Sequence, residues 1–170
     1  KENYQKEKDE ATTTALYDRK LEDKRGTSAF TIEGATTIVS NDYSNSVKKM
    51  GGNISCKFYF KKPGLNLNFG GGYFQLENEE AFKNNYVSSD LNLGYDLLPY
   101  DDLSPFIYAG IGGAADENFN DIYFKFQYGG GIEYLPAKNV GIKVFVEQNI
   151  LFTDNLERVV EGKWNDYYWR

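Results

Sequence analysis

The stretch KFQYGGGIEYLPAKNVGIKVFVEQN, residues 125–149, consists of two runs of alternating apolar and polar residues around a short turn sequence. Alternation with a period of two places successive side chains on opposite faces of a β-strand. The segment LPAKN (135–139), with its proline, is typical of a tight connection between two such strands. These residues therefore predict two antiparallel strands joined by a turn.

Three consecutive glycines lie inside the first of these strands. Gly129 and Gly131 fall on its polar face, beside Lys125 and Glu133, and Gly130 falls on the opposite face. Glycine in a strand interior often marks a tight bend or a close approach of neighbouring groups. We expect Gly129 and Gly131 to make room for the charged side chains in a tightly curled sheet. We expect Gly130 to lie beneath a neighbouring aromatic ring.

The same alternation recurs along the chain after Gly26. Alternating runs occupy 29–39, 50–60, 65–74 and 86–97, and DYYWR (166–170) begins a further one. Residues 105–114 are apolar on both faces, so their orientation stays open. Together with the two strands of the opening stretch, the pattern predicts seven complete strands and the start of an eighth.

The connections between these strands alternate in length and composition. Three are tight and contain proline (61–64, 97–105 and 135–139), and four are polar (40–49, 76–85, 115–121 and 153–166). Barrels of the outer-membrane type have short turns at one rim, longer loops at the other, and an even number of strands. The chain is therefore predicted to be all-β, an antiparallel up-and-down eight-stranded β-barrel. Because lipid does not tolerate an open sheet edge, we expect the eighth strand, truncated here, to continue past Arg170.

Residues 1–25 differ from the rest of the chain. They hold seven basic and seven acidic side chains, and too few apolar residues to fold alone. The sequence predicts a short charged helix in 1–25, followed by the barrel in 26–170. No run of about 18 apolar residues predicts a spanning helix, and the charged first residues do not resemble a signal peptide.

The composition excludes several classes of function. The formal net charge is −6, and its acidic excess lies in the barrel region, which argues against nucleic acid as a partner. The chain has no histidine and one cysteine, Cys56, so histidine-dependent triads, zinc fingers and an internal disulfide are excluded. Asp101 and Asp102 are adjacent in a turn, where aspartate is favoured for turn geometry. We expect no enzymatic activity, no cofactor and no metal site.

Periodicity alone does not say which face points into the barrel. The apolar face is inside in a soluble barrel, whereas in a membrane barrel it contacts lipid and the polar face lines the lumen. The polar face here combines opposite charges with small residues, as a narrow lumen requires. The predicted lumen charge network consists of Glu33, Lys57, Asp90, Asp96, Lys125, Glu133, Lys143 and Glu147.

The apolar face carries aromatic residues near the ends of several strands, which is typical of interfacial girdles. The predicted membrane-interface aromatics are Phe58, Phe60, Tyr73, Tyr95, Phe124, Tyr134, Trp164, Tyr167 and Trp169. Tyr168 is expected in the same outer belt, and a ligand-stacking platform is the alternative interpretation of this last cluster. These features favour a membrane barrel over a soluble one.

Residues 26–170 resemble the small OmpX- and OmpA-like eight-stranded outer-membrane barrels. Four segments, 15–35, 92–113, 124–157 and 161–170, are similar to the region that follows the periplasmic domain in Bacteroidota proteins of the curli-secretion-channel (CsgG-like) family. The channel-forming α/β domain of that family is not among residues 1–170, so no pore-forming residue is carried over. The resemblance implies an accessory or anchoring barrel of a curli-type secretion assembly in the bacterial outer membrane. Residues 1–25 would then be its periplasmic tether.

The partners expected from this interpretation are outer-membrane lipid and other subunits of an export complex. Two alternatives stay open: a stand-alone small outer-membrane barrel, and a soluble lipocalin-like barrel that binds a small ligand. A lumen filled by lysine and glutamate side chains predicts no cavity large enough for a lipid. A large cavity would therefore favour ligand binding.

Overall fold

The computed structural model describes residues 11–13, 15–16, 26–40, 46–62, 64–78, 82–117, 119, 121–137, 140–152 and 166–170. These form nine β-strands: β1 (Ser28–Ser40), β2 (Ser46–Val47), β3 (Lys49–Tyr59), β4 (Leu65–Asn78), β5 (Phe82–Asp96), β6 (Leu103–Asp116), β7 (Ile122–Ala137), β8 (Val140–Leu151) and β9 (Asp166–Trp169). Residues 11–13 and 15–16 are helical, and the remainder of the predicted tether lies outside the described residues.

The strands form a closed antiparallel barrel. β1 pairs with β3, each strand from β3 to β8 pairs with the next one along the chain, and β9 pairs with both β8 and β1. The short β2 and the long β3 both pair with β4, and Lys48 between them shifts the register by one residue, as in a β-bulge. β2 and β3 therefore count as one barrel strand, and the predicted up-and-down eight-stranded barrel is confirmed.

The strands are longer than the sequence pattern indicated. Residues 76–85 were expected to form a polar connection, but β4 continues to Asn78 and β5 begins at Phe82, and the two pair up to Asn78 and Phe82. Backbone pairing between β4 and β5 thus continues beyond the part of these strands whose outward residues are apolar. Polar side chains such as Gln75 and Asn85, which bond to each other at 2.7 Å, mark this extension.

The barrel wall is apolar outside and polar inside. Ile32, Phe124 and Val144 are 77%, 75% and 73% exposed on the outer surface. Gln127 and Asp96, at inward positions, are fully buried. A soluble barrel has the opposite arrangement, with its apolar face inside. The same alternation settles the orientation of β6, in which Phe106 is buried.

An aromatic layer fills the barrel interior at the end that carries the longer connections. Phe74 stacks on Tyr86 and Tyr168, with ring centroids 5.5 Å and 4.9 Å apart. Leu76, Ala114 and Leu151 complete this buried cluster, and Tyr123 packs against it. The interior is therefore divided into an apolar layer at the loop end and a polar region toward the tight turns.

None of the helical residues that the structure describes belongs to a helix long and apolar enough to cross a membrane.

Candidate functional site

The polar interior is the part of the barrel where charged side chains converge. Period-two alternation places residues from five strands on the inner face, where most of them are almost fully buried. The predicted network residues Glu33, Lys57, Asp90, Asp96, Lys125, Glu133, Lys143 and Glu147 all lie on this face. The structure brings them together in two ion-pair groups and leaves Glu33 apart.

The first group surrounds Lys125, directly beneath the aromatic layer. Its Nζ lies 2.7 Å from Asp90 Oδ1. It also donates to Asn149 Oδ1 at 2.9 Å and to the Tyr168 hydroxyl at 3.2 Å. A buried ammonium group is costly unless it is paired and hydrogen-bonded. Lys125 has a partner for each of its three donor positions.

Arg170 and Glu147 continue this group across the barrel. The Arg170 guanidinium lies 2.9 Å from Glu147 Oε1 and 3.9 Å from Asp90 Oδ2. The same glutamate accepts hydrogen bonds from Tyr108 at 2.8 Å and from Asn149 at 2.8 Å. Charge-assisted bonds of this kind are stronger than neutral ones. They connect β5, β6 and β8 to the last residue of the chain.

The second group lies nearer the tight turns. Lys57 Nζ is 3.4 Å from Asp96 Oδ1 and 3.7 Å from Glu133 Oε1, and Lys143 Nζ is 3.6 Å from the same Glu133 oxygen. Both lysines lie near the face of the Phe106 ring, at 6.0 Å and 5.7 Å from its centroid, within the range of cation–π attraction. The Phe106 ring and the carboxylates of Asp96 and Glu133 thus stabilise the ammonium groups of the two lysines.

Glu33 differs from the other carboxylates in its partner. It accepts a hydrogen bond from the Asn53 side chain at 3.3 Å. Among the described residues no lysine or arginine forms an ion pair with it. It lies on β1, the strand at which the barrel closes.

Sequence reasoning missed several members of these groups. Arg170, Tyr108 and Asn149 bind the predicted carboxylates and lysines, and Asn66 donates to Asp96 at 3.3 Å. Their inward positions follow from counting alternate residues in each strand. The signal was weakest for Tyr108, because both faces of its strand are apolar, and for Arg170, because it follows a strand of only four residues.

The prediction for Tyr168 is wrong. It was expected in the outer belt with Tyr167 and Trp169, but its side chain is 0% exposed and lies inside the barrel. The alternation of β9 turns Tyr167 and Trp169 outward and Tyr168 inward. Its ring stacks on Phe74 and its hydroxyl accepts from Lys125, so Tyr168 joins the aromatic layer to the ion-pair network.

The glycine interpretation is corrected in its details. A Cβ at Gly129 would lie 2.5 Å from the Val146 carbonyl oxygen and 2.9 Å from the Tyr108 ring, and one at Gly131 would lie 2.0 Å from the Val144 carbonyl oxygen and 2.9 Å from the Phe145 Cβ. These glycines therefore allow the β8 backbone and the side chains of Tyr108 and Phe145 to approach β7 closely, rather than making room for lysine and glutamate. A Cβ at Gly112 would meet Asp90 and Lys125, which makes Gly112 the glycine that accommodates that ion pair.

The expectation for Gly130 is also wrong. The atoms nearest to a Cβ placed there are the Phe106 carbonyl oxygen, at 2.9 Å, and atoms of Ile107. No aromatic ring is among them. Gly130 faces outward beside the exposed Ile107.

The predicted interfacial aromatics lie on the outer surface where the structure describes them. The exposed members are Phe58, Phe60, Tyr73, Tyr95, Phe124, Tyr134 and Trp169. Tyr167 is half-buried, and Trp164 lies outside the described residues. Phe60, Tyr95 and Tyr134 adjoin the tight turns, whereas Phe124 and Trp169 lie toward the other end. Aromatic residues thus occur near both rims of the apolar band, as in membrane barrels.

The space left in the polar interior is small. A cavity of about 40 Å³ lies between the two ion-pair groups and is lined by residues such as Lys57, Tyr108 and Glu147. This volume holds a few water molecules and is far below the several hundred Å³ typical of small-molecule sites. In the part of the chain that the structure describes, no group of acidic or cysteine side chains is arranged to hold a metal ion.

Comparison with known proteins adds evidence on the fold. The solved structure of Neisserial surface protein A (NspA) is similar to this chain, with a TM-score of 0.63 over 84% of this chain and 92% of the other. The two chains share their fold. At a sequence identity of 16%, the similarity concerns the fold alone. No protein-family model and no curated protein matches the sequence.

Proposed function

We propose that this chain is a small β-barrel of the bacterial outer membrane that serves as a non-enzymatic anchoring module. The observation that supports this proposal is the distribution of side chains, which is the inverse of that in a soluble barrel: apolar side chains lie outside and charged ones inside. Large apolar residues such as Phe124 and Val144 are about three-quarters exposed, whereas Lys125 and Glu147 are buried. A surface of this kind requires an apolar solvent, and a closed barrel is one of the two structures able to span lipid.

The partner of the outer surface is then outer-membrane lipid. Aromatic side chains near both rims would lie at the two interfaces, with aliphatic residues such as Leu93 and Ile107 between them, both more than half exposed. NspA, which has the same fold, is by its name a surface protein. The net charge of −6 supports the view that nucleic acid is not a partner.

The interior supports a structural role rather than transport or catalysis. The cavity between the two ion-pair groups has a volume of about 40 Å³, which is too small for a lipid. The buried cations Lys57, Lys125 and Arg170 are each paired with a carboxylate, as in a stabilising network. The binding alternative, which required a large cavity, is disfavoured for the same reason.

A detergent experiment tests the membrane proposal. Purified protein is expected to stay monodisperse only with detergent or lipid, and to migrate faster on a gel when loaded without boiling. The folded barrel should also insert into liposomes and give no conductance steps in planar bilayers. A soluble, monodisperse monomer without detergent would overturn the proposal.

The more specific proposal is that the barrel belongs to a curli-type secretion assembly of Bacteroidota. Its support is the sequence resemblance of segments such as 92–113 and 124–157, with the charged residues 1–25 as a periplasmic tether. Co-purification from native outer membranes tests it. Recovery of the barrel with a channel-forming subunit is the expected result, and recovery of the barrel alone would favour a stand-alone outer-membrane protein.

A further inference from the structure

The outer wall of the barrel is hollowed over β3, β4 and β5. Two adjoining apolar hollows, each of about 320 Å³, share Ile54 and Gly71 in their linings. The register places Gly71 between Ile54 of β3 and Ser89 of β5. Because glycine has no side chain and serine a short one, the wall is lower here than at the exposed Phe69 and Val87 beside it. The two hollows together are called the wall groove below.

The wall groove extends toward the tight turn that joins β3 to β4. Phe30, Cys56 and Phe69 line its end on that side. Lys61 lies five residues beyond Cys56, a distance of about 17 Å along an extended strand, or about 12 Å across a membrane at a strand tilt of about 45°. Half of the hydrocarbon core is about 15 Å thick. The groove therefore lies at the depth of the acyl chains of a lipid whose headgroup is beside Lys61.

The charge at this turn fits an anionic headgroup. Lys61 and Lys62 are both exposed and directly follow Phe60, an exposed aromatic residue at the end of the apolar surface. The hairpin segment 56–69 contains no acidic residue, and the exposed aspartates 101–102 belong to the next turn. A lysine near an anionic membrane surface increases binding about fivefold. Two adjacent lysines at the mouth of an apolar groove thus match the two parts of a phosphate-bearing lipid.

We propose that the wall groove and this lysine pair bind one phosphate-bearing lipid from the leaflet at the tight-turn end. The phosphate lies beside Lys61 and Lys62, and one acyl chain packs along Cys56 and Phe69 and over Gly71. The lysines select for the phosphate, and close packing holds the chain, because small residues allow the closest approach of neighbouring groups in lipid. The inference rests on the proposed membrane location, since this surface faces headgroups and acyl chains only there.

Paramagnetic broadening in NMR tests the proposal on the 170-residue chain folded in nonionic detergent. The probe is phosphatidylglycerol with a nitroxide group in one acyl chain. A diacylglycerol with the same labelled chain lacks the phosphate and is the matched lipid control. Ile132 is the control site, because it is exposed on the outer surface and its strand, β7, lies across the barrel from β3.

The two lipids are expected to distribute differently around the barrel. Labelled phosphatidylglycerol should reduce the amide signals of Cys56, Gly71 and Ser89 at concentrations that leave the signal of Ile132 unchanged. Labelled diacylglycerol should reduce all four signals alike, because nothing holds its headgroup at the turn.

Variants of the lysines test the headgroup part of the site. The double variant Lys61→Gln/Lys62→Gln should need at least about fivefold more phosphatidylglycerol for the same loss of signal in the groove. The matched double variant Lys48→Gln/Lys83→Gln removes two exposed lysines at the opposite rim. It should leave the concentration dependence unchanged.

Variants of the outer wall test the chain-binding part. Ser89→Leu fills the groove beside Gly71, and should make the signal loss at Gly71 equal to that at Ile132. Ala109→Leu adds the same side chain to the exposed outer face of β6, away from the groove, and should leave the difference intact. Heat-modifiable migration on a gel shows that each variant has folded.

Three results would overturn the inference while leaving the membrane proposal intact. Equal signal loss at Gly71 and Ile132 with phosphatidylglycerol would show a uniform lipid shell. Concentration of the diacylglycerol in the groove, or unchanged binding in the Lys61→Gln/Lys62→Gln variant, would show that the phosphate is not recognised. A chain that forms no heat-modifiable barrel in detergent would instead contradict the proposed function itself.

Discussion

Lys125 and Asp90 form an ion pair deep inside the barrel, with Nζ 2.7 Å from Oδ1 and side chains that are 0% and 1% exposed. Asp90 comes from β5 and Lys125 from β7, and β6 lies between them. Gly112 on β6 provides the space across which the two side chains meet. The ion pair therefore links β5 and β7 across β6, on the inner side of the barrel.

Lys125→Met is expected to destabilise the barrel by about 3–5 kcal/mol, because it leaves the buried Asp90 without its nearest cation. The double variant Lys125→Met/Asp90→Asn should recover a large part of that loss, since no uncompensated charge remains. Urea unfolding in detergent, followed by tryptophan fluorescence, measures both. Lys83→Gln, a 65% exposed rim lysine, is the control and should change the free energy of unfolding by less than about 0.5 kcal/mol. A double variant as unstable as the single one would contradict this account.

The sequence predicted the positions of the charges better than their partners. Strict alternation within long strands identifies the inward side of Lys57 and Glu133, because one apolar residue fixes the parity of the whole strand. Which charges form ion pairs also depends on the register between several strands, and alternation within one strand gives no information about that register. Tyr168 shows the limit: its strand of four residues offers too few positions to distinguish the two faces.

The aromatic layer could not be predicted from the sequence for a related reason. Phe74 follows Tyr73 directly, so two adjacent aromatic residues point to opposite sides of the wall. Alternation places Tyr73 outward and Phe74 inward, but it does not show that the inward aromatic residues of several strands meet at one level of the barrel. The change from polar to aromatic inward residues occurs within a single strand, between Gly72 and Phe74, and no change of period accompanies it.

The glycines of β7 provide a second prediction. Gly129→Ala should destabilise the barrel by about 1–3 kcal/mol, because the added Cβ lies 2.5 Å from the Val146 carbonyl oxygen and 2.9 Å from the Tyr108 ring and overpacks the interior. Gly34→Ala is the matched control. A Cβ at Gly34 meets no atom within 4 Å, so this substitution should be neutral or slightly stabilising. Equal effects of the two substitutions in urea unfolding would refute the packing role of Gly129.

The aromatic layer leads to a third prediction. Phe74→Ala should cost about 3–5 kcal/mol, because it removes a buried ring that stacks on both Tyr86 and Tyr168. Phe74→Leu retains most of the buried volume and should cost less than half as much. The measurement is again urea unfolding in detergent. An exposed aromatic residue, Phe119, serves as the control, and Phe119→Ala should change stability by less than about 0.5 kcal/mol. If Phe74→Ala matched that control, the layer would not be a packed core.

A fourth prediction concerns the apolar outer surface, which the proposed membrane location places in lipid. Leu91→Arg on β5 should destabilise the barrel in liposomes by about 2–4 kcal/mol, because it places a charge in the middle of the apolar band. Phe124→Arg, nearer the rim, should cost about 0–1 kcal/mol from the charge itself. Folding into liposomes from urea measures both. A soluble protein would show no such dependence on depth, so equal costs would argue against a membrane-spanning band.

The last prediction concerns pH at the rim, beyond the apolar band. Lys49 forms an ion pair with Glu77, with Nζ 2.9 Å from Oε2, and this interaction holds the pKa of Glu77 below its usual value of 4.5. Since the lowered pKa favours the charged form in the folded state, the contribution of Glu77 to stability is complete above pH 4.5. It is lost as the pH falls through the lowered pKa. NMR titration of the Glu77 carboxyl group should show this value return toward 4.5 in Lys49→Gln, with Lys83→Gln producing the smaller change. An unchanged pKa in Lys49→Gln would mean that Lys49 is not the cause.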